Sequence, residues 1–134
     1  MKSIPTISKY MSTQPHTISM EQNLEQAQKL MRDNRIRHLP VLKAGELVGI
    51  LTDRDLKLYQ GLRGADMHRD SVKDVCQEDV FSVSPSSPID TVADEMAEKH
   101  YGCAVVMDNQ KVVGIFTSVD GLRALSDQLH TRLK

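Results

Sequence analysis

Two runs of this chain are copies of one another. Val48-Gly49-Ile50-Leu51-Thr52-Asp53-Arg54-Asp55 and Val113-Gly114-Ile115-Phe116-Thr117-Ser118-Val119-Asp120 share the pattern V-G-I-x-T-x-x-D, 65 positions apart. The same ungapped offset pairs Ser19 with Ser84, Met31 with Met96 and Val41 with Val106. A fixed period marks a duplicated structural unit, and 65 is close to half of the 134 residues. The fold must therefore be buildable twice from one plan. A unit of that size buries too little surface to be secure alone, so the two copies are expected to share a core.

Each copy reads as β-α-β-β-α, an α/β plan. Copy one has a lead-in at Ile7-Ser8-Lys9-Tyr10-Met11, a short strand at 16–18 and an amphipathic helix with Leu24, Ala27, Leu30 and Met31 at helical spacing. Strands follow at 38–42 and 47–51 around a turn at Ala44-Gly45, then a closing helix with Leu56, Tyr59 and Leu62. Copy two repeats this: a lead-in at 72–76, a strand at 81–83, and a helix with Ile89, Val92, Met96 and Ala97 that starts near Pro88. Its strands fall at 103–107 and 112–116 around Asp108-Asn109, and its closing helix carries Leu122, Leu125 and Leu129. The glycine-containing, mixed-charge stretch ending at Ser71 reads as a linker. The expected partition is 1–62 for copy one with its lead-in, 63–71 for the linker and 72–134 for copy two.

Composition excludes several classes. No apolar run approaches about 20 residues, so no membrane-spanning helix is expected, and the N-terminus lacks the apolar stretch of a signal peptide. A cytoplasmic protein is the default. Cys76 and Cys103 form no ligand-type cluster, and His16, His38, His68, His100 and His130 show no metal-binding spacing. The methionines read as core filler. Three Tyr, two Phe, no Trp and a net charge of −1 offer few stacking platforms for nucleic acid. The charge is uneven. Residues 1–65 hold ten Lys/Arg and six Asp/Glu, a net of +4; residues 66–134 hold seven and twelve, a net of −5. This asymmetry favours an anionic ligand on copy one or a head-to-tail contact, with scattered solvated charge as the plain alternative.

The paired V-G-I-x-T-x-x-D turns, the strand Arg37-His38-Leu39-Pro40-Val41 and the lead-in Tyr10-Met11 with Thr17-Ile18-Ser19 resemble the cystathionine-β-synthase (CBS) domain. Two in tandem resemble a Bateman module, and the resemblance covers about residues 4–130. It implies two β-α-β-β-α repeats related by a pseudo-two-fold axis, in a stand-alone CBS-pair protein. It also implies regulatory binding of an adenosine-containing ligand in clefts between the repeats: AMP, ADP or ATP, with S-adenosylmethionine or NAD as further candidates and no required cofactor. In the family's nucleotide-binding members the Thr of T-x-x-D bonds phosphate and the Asp holds the ribose hydroxyls. Carried over, Thr117 and Asp120 serve one cleft with Thr17 and Ile18 opposite. Thr52 and Asp55 serve the other with Ser82 and Val83 opposite. Arg37, His38 and Ile36 on copy one, and Cys103 and Ala104 on copy two, fall on the cleft strands.

Elementary chemistry agrees with that assignment. A helix N-terminus presents unpaired N–H groups and partial positive charge to a phosphate. A Thr hydroxyl adds a donor, and a carboxylate one turn later accepts from a cis-diol. Ile18, Ile36, Val83 and Ala104 are apolar enough to flank an adenine. Thr and Asp before a helix are also ordinary N-caps, and this reading stays open beside the first. The copies differ: Arg35, Arg37, His38 and Arg54 flank the copy-one turn, whereas copy two has Tyr101, Gly102, Cys103 and Val119, with Ala104-Val105 where copy one has Leu39-Pro40.

Two functions follow. One is a sensor that binds an adenosyl ligand and signals to a regulated protein. The other is a structural homodimer with degenerate, empty clefts. An enzyme is not expected, since no nucleophile, acid–base pair or metal set stands out. The leucines of the closing helices leave apolar surface suited to a two-fold homodimer.

Overall fold

The structure is a computed structural model that describes residues 3–132. It contains the repeat twice, and its elements correspond at the 65-residue offset. A 3-10 turn at Ile7–Lys9 and a short strand β1 (Ser12–Thr13) precede β2 (Ile18–Ser19), α1 (Leu24–Asn34), β3 (His38–Lys43), β4 (Glu46–Thr52) and α2 (Asp53–Gln60). A second 3-10 turn at Val72–Asp74 leads to β5 (Ser82–Val83), α3 (Ile89–Lys99), β6 (Cys103–Asp108), β7 (Lys111–Thr117) and α4 (Ser118–Arg132). One sheet has the order β2-β3-β4 and the other β1-β7-β6-β5.

The registers repeat residue for residue. His38 faces Thr52 and Val41 faces Gly49 across β3–β4; Cys103 faces Thr117 and Val106 faces Gly114 across β6–β7. Both hairpins are irregular at the same place, between Val41 and Leu42 and between Val106 and Met107. Their turns need two residues at positive φ, as tight hairpins do. Ala44 (50°) and Gly45 (84°) supply them in the first and Asn109 (51°) and Gln110 (66°) in the second. The second turn thus lies one residue later than the expected Asp108-Asn109, because Asp108 pairs with Lys111 at the end of the ladder. The expected strands at 16–18 and 81–83 are shorter by a residue or more at their starts, and Leu62 lies past the end of α2.

The chain divides into two compact units that are not the two sequence copies. One is His16–Val80; the other joins the segment ending at Pro15 to the segment starting at Phe81. Each copy's lead-in has moved to the other copy's unit. In the first unit Val72 N–H donates to Gln22 O (2.8 Å), and Gln77 exchanges both backbone bonds with Ile50 at 2.9 Å. In the second, Ile7 N–H donates to Ser87 O (2.9 Å), and Ser12 and Thr13 run antiparallel to Ile115 and Gly114.

The buried side chains follow this division. The core of the His16–Val80 unit gathers Ile18, Leu24, Ala27, Met31, Leu39, Val41, Leu51, Leu56 and the lead-in residue Val72. The other gathers Val92, Met96, Ala104, Val106, Phe116 and the lead-in residue Ile7. Each cluster is completed by a borrowed segment, Val72 in the first and Ile7 in the second. Ala97, expected on the apolar face of α3, is exposed. The stretch read as a linker is pinned: Asp66 N–H donates to Tyr59 Oη (2.9 Å), and the α1 amides of Leu24 and Glu25 donate to Asp70 O and Met67 O. Among the described residues no helix is long and apolar enough to cross a membrane.

Candidate functional site

In the His16–Val80 unit the β3–β4 register sets His38 beside Thr52, just where β4 ends and α2 begins. Asp53 N–H, the first amide of α2, donates to Arg37 O at 2.9 Å, which fixes the strand start against the helix start. Thr52 is the N-cap. Its Oγ1 accepts from Asp55 N–H (3.1 Å) and its own N–H donates to Asp55 Oδ2 (3.2 Å), a reciprocal capping box. Gln77 Nε2, brought in by the borrowed lead-in, donates to Asp55 Oδ1 at 3.1 Å and Oδ2 at 3.3 Å. A carboxylate has about four acceptor positions, so Asp55 keeps capacity on Oδ1.

A pocket of about 500 Å³ opens on this turn, lined by Arg37, His38, Thr52, Asp53, Arg54, Lys57 and Leu58. Lys57 Nζ lies 3.0 Å from Asp53 Oδ2, while Arg37 and Arg54 are exposed. Burial, and then the Arg37 guanidinium, hold the His38 imidazole below its ordinary pKa of 6.5, against the pull of Asp55. His38 is therefore biased toward the neutral form and offers one donor and one acceptor.

In the other unit Thr117 and Asp120 form the same box. Thr117 N–H donates to Asp120 Oδ2 at 2.9 Å, Thr117 Oγ1 donates to the same oxygen at 3.2 Å, and Asp120 N–H reaches Thr117 Oγ1 at 3.5 Å. Asp120 is only 5 % exposed. Its Oδ1 faces Arg123 at 3.8 Å, too long for a hydrogen bond, and keeps free acceptor capacity. The residue matching Gln77 is Ser12, whose side chain makes no bond to Asp120. Cys103, opposite Thr117, has its thiol pushed up to about 12 by burial, so it is no nucleophile at neutral pH.

Within the His16–Val80 unit the pocket brings together Arg37, His38 and Thr52 of the residues expected from sequence, with Asp55 bonded to Thr52. Thr17 is half-buried just before β2, and Ile36 packs partly buried against the core. Ile18 lies inside that core. In the other unit Ala104 is a core residue, Val83 packs against that core and Ser82 is exposed. The sequence reading missed Asp53, Lys57, Leu58 and Gln77. The first three could have been found from α2 itself, since 53, 54, 57 and 58 share one helix face. Gln77 carries no local signal. Among the described residues no cluster of His, Cys, Asp and Glu could hold a metal ion.

The family model for the CBS domain matches this chain twice, over residues 7–61 and 72–127. The chain is 30 % identical over 105 residues to the CBS domain-containing protein YhcV of Bacillus subtilis, covering 78 % of this chain and 74 % of that one. It is 33 % identical over 119 residues to L-aspartate semialdehyde sulfurtransferase of Methanosarcina acetivorans, covering 87 % of this chain but 23 % of the enzyme. The chain thus spans about a quarter of that relative's length. Its structure is similar to the CBS domain pair of protein MJ0100, solved with 5′-methylthioadenosine and S-adenosyl-L-methionine. There the TM-score is 0.86 and the identity 26 %, over 94 % of this chain and 99 % of that one.

Proposed function

Because the chain belongs to the CBS-domain family, with two copies of the domain, we propose that it is a regulatory module that binds an adenosine-containing ligand. The observation that carries this reading is the T-x-x-D turn, present twice at a helix start with each Thr and Asp holding the other's backbone N–H. The carboxylate oxygens left over, Oδ1 of Asp55 and Oδ1 of Asp120, are suited to a ribose diol. The helix N-termini and Thr hydroxyls beside them are suited to phosphate. The ligands of MJ0100 give the class its chemistry: an adenosine with variable substituents at the 5′ position. AMP, ADP and ATP are the first candidates, S-adenosylmethionine and NAD the next. The role is binding and not catalysis, and it acts through a regulated protein partner.

Calorimetric titration against AMP, ADP, ATP, S-adenosylmethionine, 5′-methylthioadenosine and NAD tests this. Saturable binding of at least one is expected. A ligand that binds only the folded state also raises stability, by about 2.7 kcal/mol at a hundredfold excess over Kd. Silence from all six at millimolar concentration, in heat and in melting temperature, overturns the reading.

A second role has its own observation. Val119, Leu122, Leu125 and Leu129 of α4 stay exposed, with Leu122 at 65 %. A row of apolar side chains along one helix suits burial against an identical row, and we propose a two-fold homodimer through α4. Light scattering at tens of micromolar tests it: the mass of a dimer is expected, and Leu122→Lys should return a monomer. A monomeric parent chain overturns it.

A further inference from the structure

The duplication makes each copy a control for the other, and at one place they differ in kind. The pocket on the α2 turn carries three cations, Arg37, Arg54 and Lys57. At the same offset in copy two stand Gly102, Val119 and Leu122. Three cations in one copy stand against one in the other, Arg123, at the position that matches Leu58. We propose that the copy-one pocket selects an adenosine ligand by its polyphosphate chain, and that copy two holds no equivalent anion subsite. This rests on the adenosine reading above and adds the substituent that the ligand must carry.

The geometry supports a polyanion over a single phosphate. Asp53 offsets Lys57 at 3.0 Å, while among the described residues no carboxylate is in ion-pair contact with the other two cations of the pocket, Arg37 and Arg54. Guanidinium groups form paired bonds to phosphate oxygens. Thr52, on the pocket wall, caps α2, so the anion would meet the positive end of that helix as well. A volume of about 500 Å³ lies in the range of small-ligand sites and exceeds what one phosphate needs. In copy two Arg123 already faces Asp120 at 3.8 Å. Exposed Val119 and Leu122 offer an anion nothing. Because Arg37 and Arg54 are exposed, the selection should weaken as salt screens them.

The test is calorimetry on the full chain and on Arg54→Val/Lys57→Leu, which installs the copy-two residues, with inorganic tripolyphosphate, ATP and adenosine as probes. The parent should bind about one tripolyphosphate per chain and take ATP at least about tenfold tighter than adenosine. The variant should lose about tenfold or more for both anions and stay within about twofold for adenosine, as lost charge-assisted bonds require. Both substituted side chains are exposed, so a parent-like circular dichroism spectrum is expected; if it is not seen, Arg54→Gln alone carries the same readout. Two tripolyphosphates per chain, undiminished binding by the variant, or ATP no tighter than adenosine overturns the inference. The last result with adenosine still bound leaves the adenosine reading standing. Tripolyphosphate bound by the parent and lost in the variant, with no adenosyl compound bound, overturns the adenosine reading and with it the selection of an adenosine ligand, and leaves only an anion site.

Discussion

Asp55 shares its carboxylate between half-buried Thr52 and exposed Gln77, whereas Asp120 commits Oδ2 to Thr117 from a buried position. Each closes a capping box, so each change to Ala should cost stability. Asp55→Ala should lose about 1 kcal/mol, the worth of a cap. Asp120→Ala should lose more, toward about 3 kcal/mol, because it empties a buried position and strands the half-buried N–H and hydroxyl of Thr117. Urea unfolding reads both. If the carboxylates also hold ribose, adenosine affinity falls tenfold to a hundredfold, roughly 1.5–3 kcal/mol per charge-assisted bond; lowered stability with intact affinity reduces them to caps. His38 makes a second prediction. Its folded pKa lies below 6.5, so the unfolded chain takes up the proton first. Its contribution is complete above pH 6.5 and is lost as pH falls below that value toward the lowered one. His68, held up by Glu25, works in the opposite sense: its contribution is present below 6.5 and lost as pH rises through the folded value. It is fully exposed, so salt should suppress it. At high salt His38→Gln should therefore flatten the fall in melting temperature between pH 7.5 and about 5.5; an unchanged slope places the titration elsewhere. Thr52 and Asp55 were legible because motif and helix start coincide. Gln77 was not, because 22 residues and a borrowed segment separate it from Asp55.

The glycines of V-G-I show what the elements demand of the motif. A Cβ on Gly49 would lie 2.8 Å from Gln77 O and 3.0 Å from Cys76 Sγ; one on Gly114 would lie 2.6 Å from Met11 Sδ and 3.0 Å from Ser12 O. In both units the borrowed lead-in lies directly over the second hairpin strand, and only glycine admits it. The nearest atom at Gly49 is backbone, while at Gly114 it is the end of a flexible methionine. Both Ala variants should be destabilised by about 1–3 kcal/mol, as overpacked sites are, with Gly49→Ala the worse. Thermal unfolding of the two decides the order, and the reverse order would mean that the Met11 thioether cannot move aside. The long helices and paired hairpin strands were legible from periodicity. Helix ends were harder, because the left-handed caps after α1 and α3 are Arg35 (54°) and His100 (59°) rather than glycine. The second hairpin turn was misplaced by one because Asp-Asn has turn chemistry, while the 65-residue offset from Ala44-Gly45 points to Asn109-Gln110. The duplication was the better guide than local propensity.

For the whole molecule the duplication predicts that everything occurs twice but not that each copy completes the other. The lead-ins are exchanged, and no local signal reports this, since Ile7 and Val72 look the same whichever sheet they cover. The exchange has a consequence at a distance in sequence. Ile7 is fully buried in the cluster with Val92, Met96 and Phe116, about one hundred residues downstream. Ile7→Ala leaves a cavity there and should cost about 2–5 kcal/mol. Val72, equally buried, belongs with Leu24, Leu39 and Leu51, and Val72→Ala removes less side chain and should cost less. Native-state hydrogen exchange locates the damage, since local openings report the unit in which they occur. Ile7→Ala should loosen the amides of β6 and β7 and spare those of β3 and β4; Val72→Ala should do the reverse. If instead each sequence copy held its own lead-in, Ile7→Ala would loosen β3 and β4, and that result would refute the exchange. Equal loss in both hairpins would show that the two units open together, and the units would then have to be counted as one cooperative body.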